Sequence, residues 1–222
     1  MQFVTIRGIG AGTALLIWLF AAVAESPAQE PALAEKIRDI SPDKKFAMRI
    51  TYNAELNNQV IKAENADAEK IFSQTIKAIE LVALPGKSVV ANLLGDQVPS
   101  PGSEYDYIML VWSTDSKWCA FYATAPRIGY TTAYKQSGNE FVLLNEPQEL
   151  SVEIEGHVNH EYVRPVKWTK PGVLVLEQSA TFVRGGGDER PIRFTAKFGE
   201  KTGKFRIISK KRVTSGLKRG YE

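Results

Sequence analysis

A single cysteine among 222 residues rules out an internal disulfide and any metal site built on several thiolates. Histidine is almost as scarce, with only His157 and His160. No Asn-x-Ser/Thr triplet occurs, so nothing in the chain points to a glycosylated, eukaryotic secretory route. Charge of one sign is lacking too: 28 Lys and Arg against 25 Asp and Glu leave a formal charge of +3. That balance does not announce nucleic acid as a partner. A membrane-crossing helix needs about 20 apolar residues. The apolar run at residues 11–24 falls short of that. No dinucleotide fingerprint, EF-hand loop or Gly-x-Ser-x-Gly elbow is present.

What is there begins with that apolar run. It follows one positive charge, Arg7, and ends in Ala22, Val23 and Ala24, small residues where a signal peptidase needs them. Residues 1–24 therefore read as a cleaved secretory signal, with no transmembrane segment left after cleavage. Residues 25–40 read as a polar, Pro-containing linker. A bacterial periplasmic or secreted protein is the simplest expectation. An export route disfavours nucleic acid as a partner. In an oxidising compartment, the lone Cys119 within a strand-like run is expected to be a buried, inert thiol.

Beyond the linker the chain is rich in β-branched and aromatic residues, broken by turn signals every 8–12 residues. One helical turn is expected at residues 32–38, and a short helix within 63–79 capped by Asn65 or Asp67. Strands are expected at 46–52, 76–84, 89–94, 107–112, 117–124, 131–134, 141–144, 173–182, 192–198 and 204–213. Residues 149–155 alternate cleanly, with Leu150, Val152 and Ile154 against Ser151, Glu153 and Glu155, and predict one more. The reading is all-β: a single domain over 41–222 with antiparallel strands in a propeller-blade-like or β-sandwich arrangement, and at most short helices in the N-terminal third.

A weak repeat narrows this. Ser41, Asp43, Lys45 and Phe46 have the spacing of Ser113, Asp115, Lys117 and Trp118, each set ahead of an apolar strand. Trp168 to Leu176 occupies the same place a third time without the Asp. The Asp-containing turn reverses the chain and bonds its own backbone, while the aromatic starts the next strand. On residues 40–48, 111–124 and 166–176 the chain resembles the blades of WD40-like and TolB-type β-propellers, in which a Ser-Pro-Asp-Gly-Lys turn precedes an inner strand. Lys44 and Ser116 stand where that turn has Gly. Three blade-like units are fewer than the ~4 of a closed ring, so an open stack is expected. The resemblance implies a binding surface rather than chemistry.

Sites of chemistry are weak. Gly86, Lys87 and Ser88 end like a phosphate-binding loop, yet Leu81 stands where that loop needs Gly, and the segment joins two strands. His157 and His160 diverge if the preceding strand continues, so no metal site is expected. Ser113, Ser116 and Ser151 lack an elbow. The pairs Glu104/Asp106 and Glu153/Glu155 suit a hydrolase acting on an envelope or extracellular polymer, the alternative to a binding module. No catalytic residue and no cofactor is assigned. The least ordinary feature is charge. Residues 191–222 hold ten Lys and Arg and two acids, whereas residues 25–190 hold 17 and 23. Arg193, Lys197, Lys204, Arg206 and Lys210 are expected to form a basic stripe on one face of the last hairpin. Arg184 and Arg190 flank a Gly-rich tip beside it. Such a stripe suits an acidic protein, an anionic glycan or a lipid headgroup.

Overall fold

The structure, a computed structural model, describes residues 32–62, 75–93, 108–124, 127–183 and 191–214. The expected signal segment and the helix caps Asn65 and Asp67 lie outside the described residues, as do Glu104, Asp106, Arg184 and Arg190. The fold is all-β, as its alternating and β-branched segments require. Strands β1 (Leu33–Arg38), β2 (Phe46–Asn53), β3 (Ile76–Ala83) and β4 (Ser88–Asn92) form an antiparallel meander in chain order. A second meander holds β5 (Met109–Trp112), β6 (Trp118–Thr124), β7 (Ile128–Ser137) and β8 (Glu140–Leu143). A third holds β9 (Val158–Lys170), β10 (Val173–Phe182), β11 (Ile192–Gly199) and β12 (Lys204–Arg212). Two parallel pairs, Ile128↔Glu161 and Gly129↔Tyr162, join β7 to β9 and merge the second and third meanders into one eight-stranded sheet.

The sequence repeat is a repeat of backbone. In the first meander the Ser41 hydroxyl donates to Asp43 Oδ1 at 2.7 Å, and the N–H groups of Lys45 and Phe46 donate to Asp43 Oδ1 and Ser41 Oγ. In the second, Ser113 donates to Asp115 Oδ1 at 2.5 Å, and Lys117 and Trp118 donate to the same two acceptors. The fourth residue of each turn is left-handed: Lys44 at φ 61 and Ser116 at φ 58. The third turn has Gly172 at φ 70 in that place, where the conformation carries no Cβ penalty. The first two turns abut, with the Asp43 N–H donating to Ser116 Oγ at 3.0 Å.

Alternation along β6 explains the layering. All seven of its residues are buried. Cys119, Phe121 and Ala123 face a core shared with Met48, Ile50, Ile79 and Leu81 of the first meander. Trp118 and Ala120 face a second core with Leu174, Leu176, Phe194 and Ala196 of the third. A strand buried on both sides reads as a continuous apolar run, and each large side chain fully buried there contributes roughly 1.5–3 kcal/mol. The middle meander is thus packed on both faces, while the first and third each keep one outer face. Polar bonds pin the layers: Trp112 Nε1 donates to the Asp39 carbonyl at 2.6 Å, and Trp168 Nε1 to the Val111 carbonyl at 3.0 Å.

Two expectations fail for tertiary reasons. Residues 33–38 are a strand, not a helical turn, because β1 pairs with β2 from Leu33↔Asn53 to Arg38↔Met48. The helix expected within 63–79 falls on residues 63–74, outside the described ones; a helix that was not expected, α1 (Ala54–Lys62), is capped by Asn53, which accepts from the N–H groups of Glu55 and Leu56. Residues 150–157 join no ladder. Leu150 and Val152 are buried as their alternation requires, but the partner of Val152 is a side chain. The buried Gln178 amide accepts from Val152 N–H at 2.7 Å and donates to its carbonyl at 2.8 Å, standing in for a strand.

Candidate interaction face

Strand register decides which side chains share the outer face of the third meander. Residues paired across a ladder point to the same side, so rows of the face are read directly from partners. One row runs Lys170, Val173, Lys197, Arg206; the next runs Lys167, Val175, Thr195, Ser209. A third runs Arg164, Glu177, Arg193, Lys211, and Lys204 closes the hairpin end opposite Gly199. Among the described residues, these rows bring eight cations and a single carboxylate to one face. Phe194 and Ala196 alternate to the other side and enter the core.

Four of the expected stripe residues are brought together here: Arg193, Lys197, Lys204 and Arg206. Lys210 is not. A bulge in β12 between the pairs Thr195↔Ser209 and Ala196↔Ile207 resets the alternation, so Lys210 pairs with Phe194 on the opposite side and Lys211 takes the expected place. Sequence reasoning also missed Arg164, Lys167 and Lys170. They lie on the 13-residue β9, whose internal Pro165 and mixed charge obscured a strand.

Glu177 organises the centre of the face. It is 1% exposed, and Arg193 reaches its Oε2 at 2.6 Å while Arg164 lies 3.7 Å from Oε1. The Nε atoms of both arginines are buried without a hydrogen-bond partner. The carboxylate therefore holds two guanidinium groups side by side that would otherwise repel. One buried charge fixes the positions of two others, an arrangement that Lys could not reproduce with its single flexible point charge.

The remaining candidates have structural occupations. His160 accepts or donates a bond with Thr181 Oγ1 at 3.0 Å and lies beside Tyr162, while His157 is exposed and its carbonyl accepts from Val183 N–H. Among the described residues no three His, Cys, Asp or Glu side chains gather as metal ligands. Ser113 and Ser116 serve the turns, and the Ser151 hydroxyl donates to the Gln148 carbonyl at 2.9 Å. Glu153 and Glu155 are exposed on the irregular segment. Lys87 sits in the β3–β4 turn and binds Glu35 at 2.9 Å. Burial drives the Cys119 thiol far above its ordinary pKa, which leaves it unreactive. No protein-family model matches the chain, and no curated protein matches its sequence.

Proposed function

We propose that the protein is a non-enzymatic binding module of the bacterial envelope, which holds an anionic partner against the outer face of its third meander. The observation that carries this reading is the composition of that face: eight cations to one carboxylate, in a chain whose total charge is only +3. Cations concentrated within a few strand spacings raise the local potential and draw in anions from solution. The leader-like residues 1–24 support an exported setting, and the blade-like repeat supports a scaffold whose surfaces bind. The test is capture of envelope extract by the purified protein at low and at ~0.5 M salt, a concentration that screens exposed charges within a few ångströms. A partner retained at low salt and released at high salt is expected, with retention lost in Lys197→Glu/Arg206→Glu. A partner held equally by that double variant would overturn the assignment to this face.

A further inference from the structure

The free edge of the same meander says more about the partner. Strand β12 ends the eight-stranded sheet, and among the described residues no strand pairs with its outer side. An unpaired edge of nine residues is long, and proteins usually shorten, bulge or charge such edges to block chance pairing. Here the blocking charge has one sign: five of the nine residues are Lys or Arg and none is acidic. Like charges directly opposite each other are destabilising, so antiparallel pairing with a second copy is opposed at both ends of the strand. An acidic strand meets no such barrier.

The backbone is set to receive one. Val213 N–H donates to the Pro191 carbonyl, so the chain points inward at 213. Antiparallel ladders alternate inward and outward groups, which turns the N–H and C=O of Arg212 and Lys210 away from β11. The side chains alternate as well. Lys204 and Arg206 lie on the cationic face, while Phe205 and Ile207 lie on the other. Ile207 is 41% exposed and Ile208 49%, apolar surface that a bare edge leaves in water.

We infer that β12 is a docking edge for an extended, acid-rich polypeptide segment of another protein, which adds as a further antiparallel or parallel strand. Acidic side chains of that segment lie beside Arg206 and Lys211, and its alternate apolar side chains cover Ile207. Main-chain bonds supply the affinity and the alternating side chains the selection, the general mode of strand addition. A glycan or lipid headgroup would use the charges and leave the row of outward N–H and C=O groups without that ladder. The inference rests on the reading of the cationic face as the binding region, and names its partner class.

The test uses a fluorescent peptide of alternating Glu and Val, the same peptide with alternate backbone N-methylation, and a fluorescent sulfated polysaccharide. Lys210→Pro removes one outward N–H without breaking a bond to β11, and Lys210→Ala removes the same charge but keeps the N–H. Expected is binding of the unmethylated peptide that weakens at least tenfold in Lys210→Pro relative to Lys210→Ala, with matching urea midpoints for the two variants. The N-methylated peptide, tested on the unaltered protein, is expected to bind at least tenfold more weakly. Equal binding of the two peptides, or of the two variants, would overturn strand addition. Salt-sensitive polysaccharide binding together with such equality leaves the cationic face as a binding site and removes only the edge. Failure of every probe and of the envelope capture sinks both.

Discussion

The first and third meanders of this protein each cover one side of the same middle layer and each turn one face outward, yet the two outer faces are built on opposite rules. On the first, Arg49 bonds Glu80 at 2.6 Å and reaches Glu35 at 3.4 Å, and Lys87 closes the group on Glu35 at 2.9 Å. Two acids and two bases there neutralise one another. On the third, one carboxylate serves two arginines and six further cations stand around them. A face that satisfies its charges internally has little to offer a charged partner, whereas unbalanced charge at short spacing attracts one. The difference separates a face whose charges are paired within it from a face that carries a surplus of cations.

Removing the single acid of the cationic face tests this most severely. Glu177→Ala leaves Arg164 and Arg193 facing each other without a counter-charge, and the expected loss is about 3 kcal/mol of unfolding free energy. Glu80→Ala on the paired face is expected to lose about 1 kcal/mol, because Arg49 keeps Glu35 and contact with water. Urea titrations of the two variants compare them directly, and equal losses would remove the distinction. Reversing charge gives the next effect. Lys197→Glu/Arg206→Glu is expected to weaken salt-sensitive partner binding at least tenfold, about 1.4 kcal/mol, while Lys87→Glu leaves it within twofold.

The two Asp turns allow a finer comparison, between the first and second meanders. Lys44→Gly removes the strain of a left-handed side chain and is expected to raise stability by about 0.5–1 kcal/mol. Ser116→Gly removes the same strain and also the hydroxyl that accepts from Asp43, so the gain is cancelled and its urea midpoint stays near that of the unaltered protein. The smallest effect is on acidity. The hydrogen bond from Lys87 holds the Glu35 carboxyl below its ordinary pKa, against a smaller opposing effect of burial. Asp43 is also held low: burial pushes it up, but the Ser41 hydroxyl, the Lys45 N–H and the Ser116 hydroxyl together outweigh it. A lowered folded-state pKa contributes stability that is present above the unfolded value, about 4, and is lost as pH falls through the folded one. The urea midpoint is therefore expected to fall below pH 4, and to fall less in Lys87→Met. An identical acid profile in the two proteins would show that the paired face adds nothing.

Much of the strand inventory was legible because period-2 patterns and turn residues are local. The Ser-x-Asp turns were readable from side chains that bond their own backbone, and the run 173–182 from its unbroken apolar character. Residues 149–155 show the limit: their burial pattern was correct, but a buried glutamine amide 26 residues away took the place of a neighbouring strand. Residues 33–38 are mostly good helix formers, and a six-residue ladder with β2 overrode that preference. Of the cationic face, the β11 residues were legible from alternation. Lys210 was misplaced because one bulged residue inverts every side chain beyond it.

By itself the sequence determined the all-β class, the three turn-led units and the concentration of basic residues near the C-terminal end, since each depends on residue type and short spacing. Tertiary structure alone decided the bulged register of β9 on β10, which sets Arg164, Lys167 and Lys170 on the face that carries the cations of β11 and β12. It also decided that Glu177 is buried between two arginines. Register and strand order are set by which apolar faces pack together across the layers, and no spacing within a single segment encodes that choice.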